Sequence, residues 1–191
     1  MLDLNLQELE VLEIQDSGIE DATLYHIGRL PKLRELYLSA GQELKWKERA
    51  QRPFVFTGHG LQYLAPLKTL EKLILTNQFI GGNGFYLGNI PSLISLSLDS
   101  SNLCERDLEV LPNLTNLTVL SLSSYQANLG NGLKYIGELT SLRELFLSHP
   151  PKDVPNCLTD TTFPYLMNLR NLEQFLLDGC PYPMSYSLPT L

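Results

Sequence analysis

The side chains able to perform acid–base, nucleophilic or metal chemistry are few in this chain and stand far apart. Its three histidines, His26, His59 and His149, fall in different segments, and none has a cysteine, histidine or carboxylate at the spacing of a metal site. No segment resembles the sharp turn that exposes the nucleophilic serine of many hydrolases. The sequence therefore predicts no catalytic residue, no bound metal and no cofactor, and it indicates a protein that is not an enzyme.

Two other patterns are better explained by structure than by chemistry. Residues 81–84 (Gly-Gly-Asn-Gly) lack the lysine and the following helix of a phosphate-binding loop, so we interpret them as a turn. Asp21, Glu105 and Asp160 occupy one equivalent position, where we predict that each caps the backbone N–H groups at the start of a helix. The alternative is a shared catalytic or metal site, which their separation by a repeat or more disfavours.

A leucine frame, L-x-x-L-x-x-L-x-L, recurs along the chain and must position these scattered residues. Steps of 24, 37, 23, 24, 25 and 30 residues separate its second leucines, which are Leu9, Leu33, Leu70, Leu93, Leu117, Leu142 and Leu172. Such a recurrence is typical of a solenoid, in which each coil buries its apolar face only against its neighbours. The sequence therefore predicts one domain over residues 1–191, with about six repeats and a partial seventh.

Each repeat combines a strand with a short helix. Its last two leucines alternate with polar residues, which is the period of a strand with one buried face. Apolar residues then follow at steps of three, which is typical of a 3₁₀ or α-helical turn. Because strand follows strand through a helical crossover, the sheet should be parallel and the winding right-handed. We predict an α/β solenoid with a curved parallel sheet on the concave side and short helices on the convex side.

The chain resembles leucine-rich-repeat proteins, and the resemblance covers nearly all of it. Residues 158–180 are similar to the cysteine-containing subclass, with Leu158, Asp160, Phe163, Leu166, Leu169, Leu172, Phe175, Leu177 and Cys180 at the pattern positions. Residues 60–64 (Gly-Leu-Gln-Tyr-Leu) and 132–136 (Gly-Leu-Lys-Tyr-Ile) repeat its helix signature. This subclass is familiar from F-box adaptors and from bacterial proteins that act inside host cells. The resemblance implies a leucine-rich-repeat solenoid.

One position of the repeat departs from the family pattern. Three residues beyond the last strand leucine, the family often places Asn or Cys, whose side chain satisfies backbone groups of the loop. Here that position holds Ser17, Gly41, Gln78, Ser101, Tyr125, Pro150 and Cys180. An irregular array like that of plant immune receptors is therefore the alternative to the cysteine-containing subclass.

Composition narrows the classes of partner and the compartment. The net charge of −7 and the pI of about 4.9 disfavour binding to nucleic acid or to an anionic membrane, both of which need a basic face. We expect no signal peptide, because the first ten residues have no basic leader and no sustained apolar stretch. Three widely spaced cysteines suit a reducing compartment. We therefore expect a cytoplasmic protein, with a bacterial protein delivered into a host cell as one variant.

Two steps of the repeat are longer than the others and indicate excursions from the solenoid. Residues 42–55 form an insertion with the only tryptophan, Trp46, beside basic residues that include Arg49. Insertions in solenoids often form binding loops, and Trp and Arg are common interface residues, so we predict a binding loop. The alternative is a solvated loop folded over the solenoid edge. Residues 149–157 form a proline-rich loop that, like the insertion, follows a strand. The two loops should therefore lie on the same side of the solenoid and border one rim of the concave surface.

The strand residues between the buried leucines should form the concave surface. Five carboxylates (Glu13, Glu35, Asp99, Glu144 and Asp178) against one lysine (Lys72) make this surface acidic. Tyr37 with Ile74 and Phe146 with Leu176 should form two neighbouring apolar pairs. The predicted partner-binding residues are Glu13, Glu35, Tyr37, Trp46, Arg49, Ile74, Asp99, Glu144, Phe146 and Leu176.

The sequence thus predicts a non-enzymatic protein-interaction scaffold that binds a basic protein or peptide through its acidic concave surface and rim loops. The alternative is a repeat segment of a larger signalling, receptor or ubiquitin-ligase-adaptor protein that regulates a neighbouring domain. Neither end carries a polar capping unit, which solenoids normally need for solubility. We expect that the ends are covered by self-association or that further repeats are missing.

Overall fold

The structure is a computed structural model that describes residues 6–15, 19–40, 57–78, 80–99, 101, 103–123, 132–148 and 163–178. Within these ranges, seven parallel strands form one sheet and follow each other in sequence order. They are β1 (Val11–Gln15), β2 (Glu35–Ser39), β3 (Lys72–Thr76), β4 (Ser95–Ser97), β5 (Val119–Ser123), β6 (Glu144–Ser148) and β7 (Gln174–Asp178).

Short helices return the chain from one strand to the next. The α-helices are α1 (Asp21–Ile27), α2 (Leu133–Ile136) and α3 (Phe163–Leu166). The 3₁₀ helices are η1 (Gly58–Leu64), η2 (Gly84–Asn89), η3 (Glu105–Leu108) and η4 (Leu111–Asn113). Because strands that follow each other in sequence are parallel neighbours in the sheet, the described coils wind as a solenoid.

The core is built from leucines that lie in register from coil to coil. Leu36, Leu73, Leu96, Leu120 and Leu145 pair across successive strands, and each side chain is fully buried. Burial of one such side chain contributes about 1.5–3 kcal/mol, so the repeated row stabilises every junction between successive coils that it crosses. This row confirms the predicted α/β solenoid with a parallel sheet.

At the position three residues beyond the last strand leucine, side chains still form hydrogen bonds to the backbone. Gln78 and Ser101 are buried, and each donates to a strand carbonyl of the preceding coil. Gln78 Nε2 lies 3.4 Å from Leu38 O, and Ser101 Oγ lies 3.1 Å from Leu75 O. Glutamine and serine therefore do here what Asn or Cys does in the family pattern. The other five positions of this kind lie outside the described residues.

A second set of polar side chains ties the coils together just before three of the strands, β3, β4 and β6. Hydroxyl groups at the position before the second frame leucine donate to a carbonyl of the preceding coil. The donor and acceptor residues are Thr69 and Leu33, Ser92 and Leu70, and Ser141 and Leu117, at 2.8, 2.7 and 2.9 Å. Each bond satisfies a backbone acceptor at a turn, where no strand partner is available.

The prediction that Asp21 caps its own helix is wrong in detail. Glu20 is the N-cap of α1, and Asp21 is its first residue. The Asp21 carboxylate instead accepts from the backbone N–H of Thr57 at 2.8 Å and from its hydroxyl at 2.9 Å. Thr57 is the N-cap of η1, so the carboxylate serves a helix start in the next coil. Asp160 lies outside the described residues.

Around Glu105, the capping carboxylate belongs to Asp107, so that prediction is also wrong in detail. Asp107 is 2% exposed and accepts from the backbone N–H of Cys104 at 2.8 Å, at the start of η3. It also accepts from the N–H groups of Gly84 at 2.7 Å and Gly82 at 3.1 Å. Residues 81–83 therefore form a turn held by the next coil, as predicted, and Gly82 has a φ of 76° that favours glycine. The expectation that no helix follows this segment is wrong, because Gly84 begins η2.

Two glycines let neighbouring coils approach closely on the convex side. A Cβ atom at Gly28 would lie 1.9 Å from the carbonyl oxygen of Tyr63, and one at Gly137 would lie 2.3 Å from that of Tyr165. Both distances are far below van der Waals contact, so a larger residue requires the backbone to move. These glycines allow the two pairs of coils to stack this closely.

The predicted insertion at residues 42–55, with Trp46 and Arg49, and the proline-rich loop at 149–157 lie outside the described residues. Both stay predictions. No helix in the described ranges combines the length and the apolar character needed to cross a lipid bilayer.

Candidate interaction surface

The solvent-facing side of the sheet is formed by the strand residues that alternate with the buried leucines. Its central row crosses all seven described strands, and the register makes each member the neighbour of the next. In order, the row contains Glu13, Tyr37, Ile74, Ser97, Ser121, Phe146 and Leu176. We call this side of the sheet the concave face.

Two apolar pairs stand near opposite ends of this row. Tyr37 pairs with Ile74, and Phe146 pairs with Leu176, so the register brings together the residues that the sequence predicts as neighbours. Leu176 is 55% exposed, and the other three side chains are half-buried. Each pair provides apolar surface that a bound partner could bury.

A polar cluster flanks the first apolar pair. Glu35 and Tyr37 lie on the same face of β2, and the Tyr37 hydroxyl donates to the Glu35 carboxylate. Lys72 is the register partner of Glu35 on β3, and its Nζ lies 5.2 Å from the centroid of the Tyr37 ring. The pKa of Lys72 is raised, first by the Tyr37 hydroxyl and further by the charge of Glu35. The negative charge of Glu35 and the positive charge of Lys72 therefore offset each other within the face.

One carboxylate, that of Asp99, bridges two strands at the centre of the face. Asp99 follows the short strand β4 and accepts from Ser97 Oγ at 2.7 Å and from Ser121 Oγ at 2.8 Å. Its two oxygens thus join neighbouring strands across the middle of the row. The predicted binding residue Asp99 has a structural role in the sheet, in addition to contributing negative charge to the concave face.

The remaining acids of the face are Glu13, Glu144 and Asp178, and the side chains of the first two are within the described part of the structure. Glu13 is exposed and accepts from the Gln15 side chain. Glu144 is half-buried beside Phe146 on β6, and its carboxylate has no hydrogen-bond or ion-pair partner within the described residues. These two carboxylates are the ones best placed to attract a basic partner.

The structure groups eight of the ten predicted binding residues on one face and leaves two outside its described ranges. Glu13, Glu35, Tyr37, Ile74, Asp99, Glu144, Phe146 and Leu176 lie in or directly beside the strands of the sheet. Trp46 and Arg49 are the two outside. Their place on the rim stays a prediction.

Groups suited to catalysis are scarce in the described part of the chain. They contain no group of three His, Cys, Asp or Glu side chains that could hold a metal ion. Cys104 is exposed as a residue, but its thiol is partly desolvated and close to Asp107, and both effects raise its pKa. A raised pKa lowers the thiolate fraction, so Cys104 is a poor nucleophile.

Two features of the face are not predicted by the leucine frame alone. One is the contact of Lys72 with Tyr37, and the other is the bridge that Asp99 makes between Ser97 and Ser121. The first could have been found by aligning the strands, because Glu35 and Lys72 occupy the same position in successive repeats. The second has no comparable signal, since Asp99 lies beyond the end of β4.

Comparisons with known proteins fit this architecture. No protein-family model matches the chain. The chain is 38% identical over 88 residues to the receptor-like protein EIX1 of Solanum lycopersicum, which covers 46% of this chain and 8% of that protein. The chain therefore spans less than a tenth of the length of the curated relative it matches.

One of two similar solved structures supports the fold. An internalin (inlF) from Listeria monocytogenes has a TM-score of 0.53 at 20% identity, over 92% of this chain and half of that one. An internalin C2 (inlC2) from the same species has a TM-score of 0.48 at 21% identity, over 90% of this chain and 82% of that one. The fold is that of a leucine-rich-repeat solenoid, with its parallel sheet on the concave side and its short helices on the convex side. The cysteine-containing subclass stays a prediction.

Proposed function

We propose that this chain is a non-enzymatic protein-interaction scaffold that binds another protein or a peptide through its concave face. The observation that carries this conclusion is the register of the central row. It sets two apolar pairs, Tyr37 with Ile74 and Phe146 with Leu176, on a solvent-facing sheet surface. Exposed apolar side chains that cluster on one face are typical of protein-binding surfaces.

The preferred partner is basic. Among the acids whose side chains are described, Glu13 and Glu144 neither face Lys72 in the register nor bind the bridging serines. Carboxylates at the two sides of an apolar surface steer a cationic partner and orient it. The predicted rim loop with Trp46 and Arg49 would add contacts from one side. We also propose that the protein lies in the cytoplasm, and a fluorescent fusion of the full-length protein would test this location.

The decisive experiment compares two equally exposed side chains on opposite faces of the last coil. Leu176 on the concave face and Met167 on the convex side are each 55% exposed. A partner recovered from native lysate should bind the Leu176→Asp variant at least about tenfold more weakly. The Met167→Asp variant should keep the affinity of the unaltered chain. Equal losses in both variants, or a loss in Met167→Asp alone, would exclude the concave face as the binding surface.

The preference for a basic partner can be measured separately. Replacing both Glu13 and Glu144 by Gln should slow association and flatten the dependence of affinity on salt, because screening then has less attraction to remove. Asp99 is left unchanged in this variant, since it also joins strands. An unaltered salt dependence would show that the partner is not recognised by these acids.

A further inference from the structure

The concave face contains one local surface twice. Strand β2 reads Glu-Leu-Tyr-Leu-Ser, and strand β6 reads Glu-Leu-Phe-Leu-Ser. The preceding strand is also alike in both places, because Val11 pairs with Glu35 and Val119 pairs with Glu144. In each copy, a carboxylate therefore stands between a valine and the next strand, with an aromatic ring two residues further on the same face.

The two copies differ in the residue that the next strand supplies. Glu35 faces Lys72, whereas Glu144 faces Gln174. In the β2 copy, the Lys72 ammonium lies 5.2 Å from the centroid of the Tyr37 ring, and the ring hydroxyl donates to Glu35. A cation thus sits over an aromatic face next to a carboxylate, which is a favourable arrangement for a lysine or arginine side chain.

Among the described residues, the β6 copy has the carboxylate and the ring without a cation beside them. Glu144 and Phe146 are half-buried, and Gln174 is exposed, so Gln174 does not cover them. The Glu144 carboxylate has no partner within the described residues. A cation placed beside this carboxylate and this ring would gain a charge attraction and a cation–π contact at once.

We propose that Glu144 and Phe146 form a receptor for one lysine or arginine side chain of a basic protein ligand. The bound cation would occupy the position that Lys72 takes in the β2 copy, against the Phe146 ring and the Glu144 carboxylate. Leu176, the register neighbour of Phe146, is 55% exposed and offers apolar area to the stem of the same side chain. This inference rests on the proposed function, and it names the chemical group that the face recognises.

The site can be tested by filling it from within the chain. Gln174→Lys places a lysine where the β2 copy has one, and we expect the melting temperature at low salt to rise by about 1–3 °C. Gln174→Met is the uncharged control and should not show the rise. In a Glu144→Gln background, Gln174→Lys should give no rise either. Equal melting temperatures for Gln174→Lys and Gln174→Met, or a rise that persists without Glu144, would overturn the site.

The site can also be tested by filling it from outside. Random 12-residue peptides selected on the unaltered chain should contain a Lys or Arg whose replacement by Met weakens binding about fivefold or more. The same replacement should have no effect on binding to the Gln174→Lys variant, in which the site is occupied. Peptides that bind the concave face and lose equal affinity on both chains would contradict the inference and leave the proposed function intact. If no peptide binds that face, the proposed function fails, and the thermal measurements still decide whether the cation site exists.

Discussion

Ser121 Oγ donates to Asp99 Oδ1 at 2.8 Å, which joins β5 to the end of the shortest strand of the described sheet, the three-residue β4. The same carboxylate accepts from Ser97 Oγ at 2.7 Å. The sheet is therefore held at its centre by a side-chain bridge in addition to its backbone ladder. The charge pattern predicts Asp99 as a residue that binds a partner. The structure shows that Asp99 also holds together the sheet that forms the concave face.

We predict that Asp99→Ala lowers the free energy of unfolding by about 1–3 kcal/mol, because two serine hydroxyls lose a charged acceptor. Urea denaturation followed by circular dichroism measures the change. Glu13→Ala is the matched control, since Glu13 is an exposed acid of the same face, and its effect should stay within about 0.5 kcal/mol. Similar small effects for both variants would show that the bridge contributes nothing to stability.

The buried carboxylate of Asp107 should be more sensitive still. It accepts from three backbone N–H groups, those of Gly82, Gly84 and Cys104. Asp107→Ala leaves these donors without an acceptor, and we expect a loss of about 3 kcal/mol or more. Thermal unfolding of Asp107→Ala and of Glu109→Ala, an exposed acid two residues away, provides the comparison. Equal unfolding temperatures for the two variants would show that the Asp107 carboxylate does not hold this turn.

The close approach of coils predicts a steric effect at Gly137. Gly137→Ala would set a methyl group 2.3 Å from the Tyr165 carbonyl oxygen, so the coils must separate, at a cost of about 1–3 kcal/mol. Ala65 stands two residues before its frame leucine, as Gly137 does, and shows that a methyl group is accepted there in another coil. Ala65→Gly should therefore change stability by about 1 kcal/mol or less. The melting temperatures of the two variants test this contrast, and a stabilised Gly137→Ala variant would refute it.

The contact of Lys72 with Tyr37 predicts a dependence of stability on pH. The pKa of Lys72 in the folded protein lies above its usual value of 10.5, so the folded state binds the proton more tightly than the unfolded state. The resulting stabilisation is complete below pH 10.5 and is lost as the pH rises through the folded-state pKa. Unfolding of Lys72→Met and of the unaltered chain should differ at pH 8 to 9, and that difference should shrink at higher pH. A difference that grows with pH contradicts the sign of this effect.

Much of the fold follows from the spacing of the leucines alone. The alternation around Leu36 and Leu73 predicts strands with one buried face, and the recurrence of the frame predicts their order and parallel direction. The neighbours on the concave face, such as Tyr37 and Ile74, follow because equal frame positions lie in register. These features depend only on repeat symmetry, which a single sequence displays.

The features that could not be predicted are those that break this symmetry. The carboxylates of Asp21 and Asp107 bind backbone groups of a neighbouring coil, and the contact depends on how two coils are staggered. Gln78 and Ser101 replace the usual ladder residues because their donors can reach a strand carbonyl at that distance. Side-chain reach across a coil boundary is set by tertiary packing, and no local spacing encodes it.

Site-specific photo-crosslinking tests the central claim most directly. A benzophenone-bearing amino acid is introduced either at position 176 of the concave face or at position 167 of the convex side, two positions whose native residues are equally exposed. With a partner bound, irradiation should join that partner to the chain labelled at 176 and leave the chain labelled at 167 unmodified. Cross-links from 167 and none from 176 would mean that the convex side is the one that recognises other proteins.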